Sequence, residues 1–345
     1  EARRRRAHIL SDAEERLLAA AGEMAGALDS EKIAFLIGFN EPTEAEMNCI
    51  DLTVAGSGYL AAGATITANG KAGGSSRGKK GYLDGSAGGS YGGRGYTGWK
   101  TVGGACYGSI VDPRDVGSRG GQDAFAGGCV ILSFGKGFTL DGTISADGNA
   151  TSYYSPSGGS VNITAAQLTG SGSFHANGAG DQFCGAGGRL AVRLTAKGSK
   201  FSDFLGAYQM RGGLSGQSEM GSSGTLFIST ADDPDGHGLL RMFKQELVTI
   251  QEVDERTDFP KTTTNNRHEV DGVFVEVGNN AVLNLTANAV VSDLTLGAKA
   301  KVRLNGYRLR ILAAKHLLGA SKDKDWTKNA QILHADGGEI VWGTG

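Results

Sequence analysis

The sequence predicts an all-β protein, a right-handed parallel β-helix (solenoid) with an α-helical cap at its N-terminus. Short runs in which apolar and polar residues alternate, such as Ile144-Ser145-Ala146, have the period of a strand with one buried face. Glycine supplies 57 of 345 residues, and Gly or Asn/Asp-Gly ends each run, as expected of sharp corners. The closing motifs begin at Gly142, Gly172 and Gly206, which are 30 and 34 residues apart, a period typical of solenoids.

The repeating unit consists of Gly-Gly, a short apolar run, and the closing motif Gly-x-apolar-x-Ala-(Asn/Asp)-Gly. Copies begin at Gly127, Gly158 and Gly187, and a closing motif also occurs upstream, from Gly63 to Gly70. Two or three short strands per unit suit one coil of a β-helix, in which each coil stacks on the last and buries its apolar residues. The alternative is a β-sandwich or barrel with Gly-rich turns, in which two-residue hairpin loops of the Asn-Gly type should join adjacent strands.

Residues 1–48 are predicted to form a helical N-terminal cap. Ser11 is a favourable N-cap residue and Glu14 follows three positions later, which is the spacing of a capping box. Apolar residues then recur at helical spacing from Leu17 to Ala25. A helix over one end of a solenoid would cover its open strands. The alternative interpretation is a coiled-coil or partner-binding helix.

Residues 49–230 are predicted to be a Gly-rich β-solenoid with a long loop at 71–126, in which cations are interleaved with aromatic residues. Long loops in compact proteins are usually functional or disordered. Aromatic faces beside hydrogen-bond donors suit sugar rings, and the same mixture suits single-stranded nucleic acid. The aromatic residues could instead anchor the loop to the solenoid wall. The candidate ligand-binding residues are Tyr82, Tyr91, Arg94, Tyr96 and Trp99.

Residues 231–272 are predicted to be an irregular insertion, and residues 273–345 to return to shorter solenoid coils of roughly 20 residues. The insertion opens with an acidic loop that contains Asp232, Asp233 and Asp235. Clustered carboxylates are calcium ligands, but this loop lacks the ligand spacing and the distal Glu of an EF-hand. An acidic turn is therefore preferred to a Ca²⁺ site, and no other cofactor is expected.

The four cysteines are Cys49, Cys106, Cys129 and Cys184, and the absence of a CxxC pair argues against a zinc ribbon or a thioredoxin-type site. The last three lie in Gly-rich turns. If these turns stack between coils, Cys106–Cys129 or Cys129–Cys184 are candidate disulfides. The alternative is that Cys129 is simply a small buried apolar residue. A context of Gly, Ser, Thr and Asn favours an oxidising, extracellular setting.

A polysaccharide lyase or hydrolase built on a β-helix would need paired carboxylates, or a base with charged partners, on neighbouring coils. The nearest such constellation is Asp147, His175 and Asp181, together with Asn177. If the coils stack in register, Asp147 and Asn177 occupy matching corners, and His175 shares a strand face with Asn177. An Asn or Asp at a corner is also simply the residue that a turn prefers. The chain has no Gly-x-Ser-x-Gly, P-loop or dinucleotide motif.

The net charge of −2 argues against a polyanion partner such as nucleic acid, and no apolar run is long enough to predict a transmembrane helix. Solenoid ends carry open strand edges that can pair with another copy. A homo-oligomer or polymer is therefore expected, with surface glycans as a further possible partner.

Three segments of the long loop carry a resemblance. Gly-Gly-Ser-Tyr91-Gly-Gly-Arg94-Gly, Tyr107-Gly-Ser-Ile110 and Val116-Gly-Ser-Arg119-Gly-Gly precede the Gly-Gly/apolar repeat. Over residues 50–230 the chain resembles the Gly-rich modules of large bacterial surface proteins, which are similar to autotransporter passengers and adhesins of the β-helix type. The resemblance implies an extracellular or cell-surface location and an adhesive or structural role, and it carries over no catalytic residue. These observations together favour a non-enzymatic surface component, with a polysaccharide-processing enzyme or a glycan-binding module as the alternative.

Overall fold

The computed structural model describes residues 32–33, 49–72, 87–96, 103–120, 124–149, 154–215, 218–219, 221–234, 237–244, 256–259, 269–313, 332–333 and 337–343. Within these ranges the protein has 25 β-strands, a 3-10 turn at Phe201–Asp203 and no α-helix, which confirms the all-β class. No helix in this part of the chain has the length and apolar character needed to cross a bilayer. The predicted helical cap lies outside the described residues, except for Lys32–Ile33, which forms a strand.

The first fifteen strands precede a reversal in strand direction, and ten follow it. The first group is β1 (Lys32–Ile33), β2 (Cys49–Val54), β3 (Ser57–Leu60), β4 (Thr65–Thr67), β5 (Cys129–Phe134), β6 (Phe138–Leu140), β7 (Thr143–Ser145), β8 (Ser160–Ala165), β9 (Leu168–Thr169), β10 (Ser173–His175), β11 (Arg189–Leu194), β12 (Ala207–Gln209), β13 (Leu214–Ser215), β14 (Ser218–Glu219) and β15 (Thr225–Thr230). The second group is β16 (Leu239–Met242), β17 (Thr257–Phe259), β18 (Phe274–Val277), β19 (Val282–Leu285), β20 (Ala289–Val291), β21 (Asp293–Leu296), β22 (Lys301–Arg303), β23 (Arg308–Ile311), β24 (Ile332–Leu333) and β25 (Glu339–Trp342).

Thirteen of the fifteen strands of the first group are distributed over three sheets, and their mutual pairings within these sheets are parallel, whereas β13 and β14 form a separate antiparallel pair. The long sheet has the order β2-β5-β8-β11-β15-β16-β18-β21, the second sheet β1-β3-β6-β9, and the third sheet β4-β7-β10-β12. Equivalent positions of the repeat pair with one another, as in Ile66↔Ile144↔Phe174 of the third sheet. Because paired side chains point to the same face, like residues stack into a first core. Its fully buried members include Val130, Leu132, Ile144, Val161, Ile163, Phe174, Leu190, Val192 and Leu226.

The strand direction reverses between β15 and β16, which pair antiparallel. After this point β16, β18 and β21 are again parallel to one another. The reversal also changes the buried face of the long sheet. On β15, Leu226 and Ile228 point into the first core, whereas Phe227, which pairs with Leu240, points into a second core on the opposite face. The two cores thus lie on opposite sides of one continuous sheet.

The second core is enclosed by β16, β18 and β21 of the long sheet, a fourth sheet β17-β19-β22-β24 and a fifth sheet β20-β23-β25. The pairings within these sheets are parallel, and the paired positions Val275 and Leu294 are 19 residues apart. The shorter unit brings Leu283 beside Val302 and Leu309 beside Ile340. Fully buried members of this core include Leu240, Met242, Phe259, Val277, Leu283, Leu285, Val291, Val302, Leu309 and Ile311.

Residues 87–96 and 103–120, called here the Gly-rich layer, cover the face of the long sheet that points away from the first core. The hydroxyls of Tyr91 and Ser160 are 2.6 Å apart, and the Asn162 amide donates to an Asp112 carboxylate oxygen at 2.7 Å. A small apolar cluster of Ala72, Val116, Ala126, Cys129 and Ile131 completes the contact. Strands β5, β8 and β11 are therefore largely buried on both faces, whereas the outer face of β2 is exposed, and the layer is a structural element.

Glycine permits close backbone contacts between this layer and the corners of the coils, and between successive corners. A Cβ atom on Gly88 would lie 1.9 Å from the carbonyl oxygen of Cys184, and one on Gly185 would lie 1.9 Å from that of Pro156. These segments are joined by main-chain hydrogen bonds instead of sheet ladders. The Gly89 N–H donates to Ser155 O, and the Ala186 N–H donates to Gly89 O, both at 2.9 Å. Chains that approach so closely exclude any side chain larger than hydrogen at the contact points.

A pair of glycine substitutions tests this packing. Gly185→Ala places a methyl group against fixed backbone and should lower the free energy of unfolding by about 1–3 kcal/mol or more. Gly56→Ala is the matched control, because no atom lies within 4 Å of the place that its added methyl group would occupy, and we expect a change below about 1 kcal/mol. Urea unfolding of both variants measures the difference. Equal stabilities would contradict the tight packing around Gly185.

Candidate functional site

The most conspicuous polar contact on the outside of the third sheet joins Asp147 and His175. Phe174 points into the core, so the strand alternation turns His175 outward at the end of β10. Asp147 follows β7 by two residues and occupies the corner below. The His175 Nδ1 lies 2.8 Å from Asp147 Oδ2, and the Asn177 N–H donates to Asp147 Oδ1 at 2.6 Å. Both side chains keep about a fifth of their surface in solvent, at 21% and 23%.

This contact belongs to a row of polar groups that runs along the stack. The Asp147 N–H donates to Asn69 Oδ1 at 2.7 Å, and the Arg211 N–H donates to Asn177 Oδ1 at 3.1 Å, so each corner side chain binds the backbone of the next coil. Asn and Asp side chains commonly form such hydrogen bonds at turns. The row is also a regular line of donors and acceptors, most of them partly exposed, although Ser145 and Asn177 are buried. We call it the polar wall: Thr67, Asn69, Ser145, Asp147, His175, Asn177 and Gln209.

Of the three candidate catalytic residues, the structure brings together Asp147 and His175. Asp181 is exposed, and among the described residues its carboxylate makes no hydrogen bond or ion pair with either of them. The candidate catalytic group is therefore limited to the Asp147 carboxylate and the His175 imidazole, which the carboxylate orients. This pair is chemically able to move a proton at a surface where a polymer could lie.

The candidate ligand-binding residues are placed differently from one another. The Tyr91 ring is completely buried and packs against Tyr107, so it offers no face to a ligand. Burial raises the pKa of Tyr91 well above its usual range, so its hydroxyl stays neutral. Arg94 is occupied by an ion pair, and Tyr96 is half-buried with its N–H bonded to Cys184 O. Tyr82 and Trp99 lie outside the described residues.

Arg94 contributes to a buried network that connects the Gly-rich layer to the fourth sheet. Its Nε lies 2.9 Å from Oδ1 of Asp258, whose side chain is only 5% exposed. The Cys106 N–H and the Asn284 amide also donate to this carboxylate, at 3.0 and 2.7 Å. Asp258 pairs in register with Asn284 on β19. The sequence pattern does not single out Asp258, because its strand carries no copy of the repeat.

Arg189 is a second buried polar residue that the sequence pattern did not single out. Its side chain is fully buried between the long sheet and the Gly-rich layer. Nε donates to Tyr107 O at 2.9 Å, Nη1 donates to Thr225 Oγ1 at 3.0 Å, and the guanidinium lies 5.5 Å from the centre of the Tyr91 ring. Its Nη2 has no hydrogen-bond partner among the described residues. Alignment of the repeats could have located it, since it occupies the outward position held by Cys129 and Ser160 in earlier copies.

All four cysteines lie in the described residues and are free thiols in the structure. Neither candidate pair, Cys106–Cys129 or Cys129–Cys184, is joined by a disulfide there. Cys106 is buried beside Asp258, where desolvation raises the pKa of its thiol to about 12. Cys184 lies near the carbonyl oxygen of Asp181. Cys129 is paired in register with Cys49, because the strands that carry these two cysteines are neighbours in the long sheet. The candidate pairs left out Cys49, which the register of the long sheet places beside Cys129.

In the acidic loop, the carboxylates of Asp232 and Asp233 accept hydrogen bonds that stabilise turns. Asp233 Oδ2 accepts from the N–H and the hydroxyl of Thr230, at 2.7 and 3.0 Å, and Asp232 Oδ2 accepts from the Gly198 N–H at 2.7 Å. Asp235 lies outside the described residues. In the part of the chain that the structure describes, no group of three or more His, Cys, Asp and Glu side chains could hold a metal ion.

A cleft of about 340 Å³ lies where the strand direction reverses. Phe227 and Val111 line its apolar side, and Arg193, His237 and Glu269 line its polar side. Glu269 is already occupied, since it accepts from the Ser109 hydroxyl and the Ile110 N–H at 2.7 and 2.6 Å. The cleft is a concave surface with mixed polarity.

Substitution of Asp258 tests the buried network. Asp258→Ala leaves the Arg94 guanidinium without its carboxylate, and we expect a loss of about 3–5 kcal/mol in the free energy of unfolding. The control is Glu339→Ala, which removes the exposed Arg308–Glu339 ion pair (61% and 54% exposed) and should cost at most about 1 kcal/mol. Urea denaturation measures the free energy of unfolding of both variants. Similar losses in the two variants would show that the buried Arg94–Asp258 network stabilises the fold no more than the exposed ion pair does.

Comparisons of this chain with protein-family models, curated proteins and solved structures found no match.

Proposed function

We propose that this chain is a non-enzymatic structural protein of an extracellular surface, a right-handed parallel β-helix that acts as an adhesin or as a self-assembling component. The observation that supports the proposal is that polar side chains connect neighbouring coils and layers. The hydrogen bonds of Asp147 in the polar wall, the Arg94–Asp258 network and the Asn162–Asp112 bond each connect one coil or layer to the next. Side chains committed to such contacts stabilise a rigid body.

The route of the chain supports the β-helix. Strands visit the long, second and third sheets in turn, and later the long, fourth and fifth sheets in turn. At the reversal both the strand direction and the buried face change. Together, the two changes are equivalent to rotating the coil by a half-turn about the axis along which the coils stack. Because a rotation does not change handedness, the coils before and after the reversal have the same hand. Crossovers between parallel strands of one sheet are nearly always right-handed.

Self-association is the form of assembly that this architecture favours. Outer strands of each sheet, such as β2 and β21 in the long sheet, have a described neighbour on only one side. Unpaired strand edges readily pair with another chain. A second copy stacked end to end would continue the register and extend the rod, and a repeat of this contact gives an open filament.

Electron microscopy over a concentration series tests the structural proposal. We expect rods that lengthen into filaments or ordered arrays as the protein concentration rises, because end-to-end contacts obey mass action. The control is the same series with His175→Ala, a surface substitution that should leave assembly unchanged. Short single rods at every concentration would contradict self-assembly.

A second candidate function, glycan binding or processing at the polar wall, is favoured by the partly exposed Asp147–His175 pair. Incubation of the protein with acidic and neutral polysaccharides, followed by measurement of binding and released reducing ends, distinguishes the two. The structural proposal predicts no released product. Cleavage that is lost in His175→Ala and Asp147→Asn, but kept in Asp141→Asn, would replace it with the enzymatic alternative. Asp141 is the matched control because it caps another corner, accepting from the Ser171 N–H at 2.9 Å.

A further inference from the structure

Cys49 and Cys129 occupy directly paired positions at the first residues of β2 and β5. Paired residues of neighbouring parallel strands point to the same face, and neighbouring strands lie about 4.8 Å apart. This separation falls within the range of about 4.4–6.8 Å between Cα atoms that a disulfide requires. Cys106 and Cys184 are placed elsewhere, where their thiols contact Asp258 and Asp181.

The two thiols differ in their surroundings. Cys49 is exposed and lies on the edge strand of the long sheet, whereas Cys129 is fully buried under Ala72, Val116 and Ala126. An edge strand can move toward its single described neighbour more easily than an inner strand can. An external reagent therefore reaches Cys49 first, and Cys129 is the thiol next to it.

The hydrogen bond between the two thiols lowers the pKa of Cys49, and the Arg114 guanidinium assists. Burial and the Asp51 carboxylate act in the opposite direction, but the net shift is downward. The same hydrogen bond and burial raise the pKa of Cys129. Since the thiolate is the nucleophile in exchange reactions, Cys49 is the attacking group and Cys129 is the group that completes the reaction.

We propose that Cys49 and Cys129 form a thiol–disulfide site, at which an external low-molecular-weight disulfide converts the pair into a covalent link between the first two coils. The Cys49 thiolate attacks one sulfur of the external disulfide and forms a mixed disulfide, and one thiolate leaves. Cys129 then loses its proton to the solvent and attacks Cys49 Sγ, which releases the second thiolate. Two protein thiols are oxidised and one external disulfide is reduced to two thiols.

The link would close the chain between residues 49 and 129, which contains the Gly-rich layer. A cross-link over so long a segment stabilises chiefly by restricting the unfolded chain. It would also fix β2, an edge strand, to the body of the sheet. The inference holds whether the protein is structural or acts on glycans, because it concerns the first two coils and leaves the polar wall untouched.

Peptide mapping of the full chain after incubation with oxidised glutathione, with free thiols alkylated before digestion, tests the proposal. We expect one cross-linked peptide joining Cys49 to Cys129, Cys106 and Cys184 still reduced, and an increase of several degrees in Tm that dithiothreitol reverses. A glutathione adduct that persists on wild-type Cys49, a cross-link through Cys106 or Cys184, or no reaction would each overturn the proposal.

Three variants assign the two roles. Cys129→Ser should stop at the mixed disulfide and carry a stable glutathione adduct on Cys49. Cys49→Ser should acquire neither adduct nor cross-link. Cys184→Ser is the control and should form the Cys49–Cys129 link as the wild type does. Formation of an adduct on Cys129 in Cys49→Ser, at the wild-type rate, would contradict the order of attack.

Discussion

Close contact between glycine backbones on the outer face of the long sheet is the interaction on which the rest of the structure depends. Strands β5, β8 and β11 have the first core on one face and the Gly-rich layer on the other. Main-chain groups of the layer bond directly to the Gly-rich corners of the coils, as in the bond from Gly92 N–H to Gly187 O at 3.1 Å. This arrangement explains why a long Gly-rich segment can be ordered without regular secondary structure: its hydrogen bonds are satisfied by neighbouring segments.

The same layer decides which polar residues are available for chemistry. Arg189 and the side chain of Tyr91 are buried between the layer and the long sheet, and Arg94 forms an ion pair with Asp258 at the edge of the layer. A buried guanidinium without a carboxylate partner is costly, and Arg189 is tolerated because a carbonyl oxygen, a hydroxyl and an aromatic face surround it. Among the described residues, partly exposed polar groups remain at the polar wall and at the cleft at the reversal. The protein therefore combines a rigid interior with two polar surfaces.

Much of the fold could be predicted from the sequence, since it follows from period-2 alternation and from the spacing of the Gly-rich motifs. Ile66, Ile144 and Phe174 pair as their equivalent places in the repeat suggest, and Asp147 meets Asn177 at stacked corners. The reversal could not be predicted, because it depends on Phe227 pairing with Leu240 across a turn, and alternation alone does not say which face is buried. Nor could the burial of Tyr91, because aromatic residues in a Gly-rich loop look alike whether they bind ligands or pack.

Native-state hydrogen exchange of the Gly-rich layer tests the central claim most directly. The amides of Gly89, Gly92 and Gly117 donate to Ser155 O, Gly187 O and Gly127 O. If the layer is an integral part of the packed structure, these amides should exchange as slowly as those of β8 and β11, in the slowest class of the protein. Exchange at the rate of an unstructured peptide, while the strands beneath stay protected, would show that the layer is a mobile surface loop and would contradict the account.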